Sequence, residues 1–302
     1  MKTIYTVVFA EKPGGGNPCP VIVDADGLTG EEMRKKAEQY GMEAAFVSAA
    51  DRQDCRWRVR YFTPDHELSS CVHATIAAVS VLLKEGRLSG DHALLESAAG
   101  ETNPVSWRSE AGRFVVSADQ GLPAVKTIDP ALEGKIAEVL GLPAGELLPE
   151  APEAVSTSRP KLMVGVKSVS VLDGIRPQYE ALWELCDEIG VSGFYPYALT
   201  ERDGETVVRA RQFPNRSGYP EDPATGVAAA SLLCYLFLTG QVNFPKSGWS
   251  RMMIFQGQAM GRPSVLEAEL LLGDGDILQT RVSGSAEITE ELAPALNETK
   301  RS

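Results

Sequence analysis

Two stretches carry the side chains that could do chemistry. "ELSSCVHATIAAVSVLLKEG", Glu67 to Gly86, sets Ser70, Cys71 and His73 just before a long apolar run. "YPEDPATGVAAASLLCYLFLTG" sets Asp222 before a second apolar run that ends at Gly240. A thiol and an imidazole two residues apart can act as nucleophile and base, or as two stations of a proton relay. Both sets lie where a helix must begin. The first turn of a helix offers unpaired N–H groups and the positive end of the dipole, so two such turns can hold a small anion without Lys or Arg. Ala74 and Thr75 at one start, and Ala224, Thr225 and Gly226 at the other, are small enough to let a ligand approach backbone.

Glu43, in "MEAAFVS", is a third candidate. It opens an apolar strand, a setting that suits a carboxyl to moving a proton between two carbons. Asp222 also has a plainer reading, because an Asp ahead of Pro and Thr is a helix cap. A two-thiol racemase needs a second Cys at the other helix start. "EDPATG" has none, and Cys234 sits in the body of the second apolar run.

The elements that must position these groups follow from periodicity. "TIYTVVFA" and "CPVIVDAD" read as strands around the loop "EKPGGGNP". "TGEEMRKKAEQYG" reads as a helix capped by Thr29 and stopped at Gly41. "AAFVSAA" and "CRWRVRYFTP" are strands, followed by a helix beginning near Ala74, and then by strands through "HALLESAAGETNPVSWRSEAGRFVVSADQ". The Pro-, Glu- and Ala-rich region from Gly121 to Pro160 reads as a connector with one helix, "PALEGKIAEVLG". The order then recurs. "LMVGVKSVSVLD" reads as a strand, "QYEALWELCDEIG" as a helix, "GFYPYALT" and "TVVRARQFP" as strands, and an apolar helix starts near Gly226. Further strands run through "WSRMMIFQGQAMG", "SVLEAELLL" and "ILQTRVSGSAEI", before an acidic terminal helix, "TEELAPALNETK".

Each apolar helix is therefore entered by an Arg/aromatic strand, Phe-(Thr)-Pro and a loop of about ten residues, which makes an internal repeat at domain scale. Helices apolar on nearly all faces are buried, so each must thread its own sheet. The halves are expected at 1–120, with part of the tail 288–302, and at 126–287.

The chain has 302 residues, 43% hydrophobic and 23% charged, with a formal net charge of −12. These values fit a globular protein of two domains and offer no basic stripe for nucleic acid. Five scattered cysteines, no signal peptide and no apolar run near the roughly 18 residues of a membrane span point to a reducing cytoplasm. "PGGGNP" leads into a strand and lacks GxGxxG, so no dinucleotide loop is expected. His66, Cys71 and His73 lack a fourth ligand or an H-E-x-x-H pattern, so no metal is expected.

Five stretches in one order, "GNPCPVIVDADGL", "MEAAFV", "RYFTPDHELSSCVHAT", "FPNRSGYPEDPATG" and "QGQAMGRPS", resemble the phenazine-biosynthesis isomerase-like family, of the diaminopimelate-epimerase fold. The resemblance covers nearly the whole chain. It implies an α+β fold of two similar domains, each a mixed sheet or barrel wrapped around a central helix, with the active site between them. It also implies acid/base isomerisation without a cofactor, and a homodimer. The family's acid/base glutamate falls on Glu43, its motif histidine on His73, its aspartate on Asp222 and its substrate-contacting asparagine on Asn17. Three positions depart from the family: Val72 replaces Gly, Val227 replaces Ser and Met42 replaces Ser. Val72 crowds a place where backbone should approach a ligand, and Val227 removes a hydroxyl, which bears on substrate identity more than on proton transfer.

The resulting expectation is a cofactor-independent isomerase of a small carboxylic acid. Glu43, His73 and Asp222 act on the substrate; Asn17, Cys71, Val72, Ala74, Thr75, Thr225, Gly226 and Val227 line it. An epimerase using Cys71, or a silent binding protein that keeps the pocket, are the alternatives.

Overall fold

The computed structural model describes residues 1–143 and 145–291. The terminal helix expected over 289–300 falls outside the described residues from 292 onward. The chain forms two compact units. One is Met1–Asp119 with the chain from Val282; the other is Gln120–Arg281.

In chain order the first unit carries β1 (Lys2–Val8), β2 (Asn17–Val23), α1 (Gly30–Tyr40), β3 (Ala44–Ser48), β4 (Trp57–Phe62), β5 (Glu67–Leu68), α2 (Val72–Lys84), β6 (His92–Glu96), β7 (Thr102–Glu110) and β8 (Arg113–Gln120). There follow β9 (Ala124–Thr127), α3 (Glu133–Val139), β10 (Glu153–Ser156), β11 (Lys161–Gly165), α4 (Val169–Gly174), α5 (Tyr179–Ile189), β12 (Gly193–Arg202), β13 (Glu205–Ala210), β14 (Phe213–Pro214), α6 (Gly226–Leu238), β15 (Gly248–Gln256), β16 (Ser264–Gly273) and β17 (Asp276–Gly284). β18 (Ala286–Thr289) returns to the first unit and pairs antiparallel with β1.

In the first unit β2 runs antiparallel to β1 and parallel to β3, with Val21 opposite Ala45. β3 is antiparallel to β4, with Ala44 opposite Phe62. Strand alternation splits these residues between two faces. Ala44, Phe46 and Phe62 pack with Met33 and Ala37 of α1, and α2 packs on β1, β2 and β3. α1 begins as its sequence demands: the Thr29 hydroxyl accepts the Glu32 N–H while the Glu32 carboxylate accepts the Thr29 N–H, a capping box.

The second unit repeats the plan. β11 is parallel to β12, β12 is antiparallel to β13 and β14, and β13 is parallel to β15. α6 packs on β10, β11 and β16, while Phe194 and Phe213 face a separate core with α3, α4 and α5. The segment read as a connector folds as β9, α3 and β10, with β9 and β10 paired antiparallel. "LMVGVKSVSVLD" is not one strand. It ends at Gly165, and the Ser168 hydroxyl accepts the Val171 N–H to start α4, a local side-chain cap that outcompetes the ladder.

Both central helices have 13 residues and bury nearly all of them, Val72–Leu83 in α2 and Gly226–Leu236 in α6. α2 starts two residues before the expected position, because Cys71 already takes the extended N-cap conformation. The entrances repeat in detail. Arg60 donates to both carboxylate oxygens of Glu67 at 2.7 Å and lies over the Phe62 ring. Arg211 donates to both oxygens of Glu221 at 2.8 Å and lies over the Phe213 ring. The chain is thus α+β, two similar units, each a mixed sheet around a buried helix. No helix among the described residues is long and apolar enough to cross a membrane.

Candidate active site

In the first unit the parallel pairing of β2 with β3 brings Asn17, at the head of β2, to the sheet edge where Glu43 precedes β3. The α2 start meets that edge. Cys71 Sγ lies 3.4 Å from Glu43 Oε2 and 3.3 Å from His73 Nδ1. His73 Nε2 lies 3.3 Å from the same Glu43 oxygen. Carboxylate, thiol and imidazole therefore form one closed triangle. The Glu43 side chain is 17% exposed and that of His73 7%, so the carboxylate is the more accessible of the two.

The surroundings are tightly built. Cys19, on β2 beside Glu43, has its thiol pushed well above the ordinary range by burial and by the Glu43 charge. Thr75 Oγ1 donates to the Cys71 carbonyl at 2.8 Å and bonds the Tyr61 hydroxyl at 2.6 Å, tying β4 to the first turn of α2. Val72 and Ala74 are buried in that turn, and Asn17 is buried at 3% exposure.

In the second unit the α6 start holds Asp222, Thr225, Gly226 and Val227. The plainer reading of Asp222, as the residue that caps α6, does not hold for the N-cap position. Thr225 is the N-cap residue, without a side-chain cap bond, and its hydroxyl donates to Asp222 Oδ2. Gln256 Oε1 accepts the Thr225 N–H at 3.2 Å and the Tyr195 hydroxyl at 2.9 Å. Gln256 Nε2 donates to the Asp222 carbonyl at 2.6 Å and to Thr225 Oγ1 at 3.1 Å. Asp222 is thereby fixed from both ends. Tyr61, Tyr195 and Gln256 escaped the sequence reading. The signals were there, in the residue before Phe-Thr-Pro and in the first residue of "QGQAMG", but a lone polar residue in an apolar strand does not say what it bonds.

Glu43, Cys71 and His73 also present oxygen, sulfur and nitrogen donor atoms within 4.8 Å of one another, ligand types that zinc accepts. His66, the third ligand considered from sequence, is exposed, with Nδ1 3.3 Å from Thr63 Oγ1. What the triangle can do without a metal is general acid/base chemistry, or thiolate formation at Cys71 assisted by His73.

A model of the family described as phenazine biosynthesis-like protein matches residues 6–291. A protein of Clostridium acetobutylicum described as an uncharacterized isomerase is 32% identical over 293 residues, 96% of each chain. The trans-2,3-dihydro-3-hydroxyanthranilate isomerase of Pseudomonas aeruginosa is 30% identical over 285 residues, 93% of this chain and 95% of its own. The crystal structure of a Bacillus anthracis phenazine biosynthesis protein of the PhzF family matches with a TM-score of 0.84 at 28% identity, covering 96% of this chain and 98% of that one.

Proposed function

Because the chain belongs to the phenazine biosynthesis-like protein family and is, like its named relatives, an isomerase, we propose that it moves a proton on a small carboxylic acid, with Glu43 as the acid/base and no cofactor. The observation that carries this is the Glu43 carboxylate itself: the most exposed member of the triangle, with one oxygen 3.3 Å from His73 Nε2 and 3.4 Å from Cys71 Sγ. A carboxylate that takes a proton from one carbon must release it to another. A neighbouring imidazole eases both steps by accepting or supplying a hydrogen bond as the charge changes. His73 steadies Glu43, and Cys71 backs both.

In this reading the substrate carboxylate is held by backbone N–H groups at the helix starts, with Asn17, Thr225 and Gly226 in contact and Asp222 orienting the reacting end. The share given to the second unit is supported by the internal repeat, and assembly as a homodimer by the family resemblance alone. The acid named for the Pseudomonas relative is the first to test. Incubation in deuterated water followed by mass spectrometry reads the chemistry directly. Deuterium entering a C–H position in wild type but not in Glu43→Gln is the expected result. Glu43-independent exchange sinks the reading.

One observation favours a second reading. Cys71 Sγ is 3.3 Å from an imidazole nitrogen, the arrangement that forms thiolate in Cys–His pairs. If alkylating Cys71 stops exchange while Glu43→Gln does not, the thiol is the base and the protein an epimerase.

A further inference from the structure

The register of the two repeats exposes an asymmetry at the helix entrances. Ala44 opposes Phe62 in the first unit, and Phe194 opposes Phe213 in the second. Glu43 therefore corresponds to Gly193, Tyr61 to Gln212, Cys71 to Thr225 and His73 to Val227. Where the first unit sets a carboxylate, the second has no side chain, and Gln212 fills the space. A Cβ on Gly193 would lie 2.6 Å from Gln212 Nε2. By strand alternation Gln212 shares its face with Tyr195, whose hydroxyl joins the Gln256–Thr225–Asp222 network. The Gln212 carbonyl accepts the Asp222 N–H at 3.1 Å.

Tyr61, the counterpart, has its hydroxyl bonded to Thr75. Gln212 has nothing equivalent: it is 1% exposed, and neither Nε2 nor Oε1 has a hydrogen-bond partner among the described residues. Such groups are costly, and buried amides are normally satisfied. By the same mapping Thr75, the partner of Tyr61, corresponds to Ala229, which has no hydroxyl, and Glu43 to Gly193, which has no side chain.

We propose that Gln212 is a substrate-contacting, specificity-determining residue, whose amide pairs with a hydroxyl group carried by the acid at the α6 entrance. A hydroxyl can donate to Oε1 and accept from Nε2 at once, which an alkyl group, a carboxylate or an ammonium cannot. An amide does not titrate near neutrality. The second entrance therefore binds and selects, while the first, with Glu43, handles the proton. The proposal rests on the reading that a carboxylic acid binds there.

Lactate and propionate, which differ by one hydroxyl, are the probes, titrated calorimetrically into wild type, Gln212→Leu, Gln212→Met and Glu43→Gln. A site built around a hydroxyl rejects the analogue lacking it, so wild type should bind lactate about tenfold or more tighter than propionate. In both Gln212 variants the preference should vanish, while their melting temperatures stay at or above wild type, because an unpaired buried amide has been removed. Glu43→Gln should keep the preference even where proton exchange is lost, which separates failure of this proposal from failure of the proton reading. Equal binding of the two acids by wild type, no binding of either, or a preference that survives in folded Gln212→Leu or Gln212→Met overturns it.

Discussion

Cys71 Sγ stands 3.3 Å from His73 Nδ1 and 3.4 Å from Glu43 Oε2, at the extended N-cap of a helix whose next twelve residues are buried. No other cysteine has such a setting. Burial pushes Cys186 and Cys234 up to about 12 and raises Cys19 and Cys55 as well. Since the thiolate is the reactive form, iodoacetamide near neutral pH should label Cys71 first, and Cys186 and Cys234 only on unfolding. Peptide mapping at short times checks this; labelling of Cys234 at the Cys71 rate contradicts it.

Arg211 is buried with Glu221, donating to both of its oxygens and also to the Leu172 and Ile175 carbonyls. Arg211→Met leaves the Glu221 charge buried and alone, and should cost about 3–5 kcal/mol in urea unfolding. Arg211→Met with Glu221→Leu should recover most of that. The Arg60–Glu67 pair, with side chains 21% and 29% exposed, should cost about 1 kcal/mol or less when broken. Equal losses at the two sites would contradict the burial argument.

Gly257 has φ +85°, and a Cβ there would meet the Arg262 carbonyl at 2.2 Å and the Pro223 carbonyl at 2.8 Å. Gly257→Ala should therefore lower stability by well over about 1 kcal/mol and weaken ligand binding through Gln256, at the end of β15, and the Asp222 carbonyl it bonds. Gly275→Ala, at φ +94° with open space around it, should carry the backbone strain alone. Thermal unfolding of the two variants separates clash from strain.

The parts of this account that were legible in the sequence are those set by local chemistry. Thr29 and Glu32 spell a capping box, the apolar runs after Cys71 and Thr225 can only be buried helices, and the repeated Arg-x-Phe entrances mark two like units. What stayed hidden depends on register and distance along the chain. The role of Gln256 follows from a parallel pairing of β15 with β13, and the isolation of Gln212 follows from what Gly193 and Ala229 lack. The N-cap of α6 is Thr225 rather than Asp222, a boundary that residue types alone do not specify.

The Glu43 triangle is the central claim, and Glu43→Gln in deuterated water tests it most directly. Gln keeps the shape and hydrogen-bonding capacity of Glu43 but cannot carry a proton. With any acid found to bind, wild type should wash deuterium into a C–H position. The variant should show no exchange while its affinity stays within a few-fold of wild type. Exchange at the wild-type rate in Glu43→Gln, lost instead in Cys71→Ser, would contradict the account and assign the proton to the thiol.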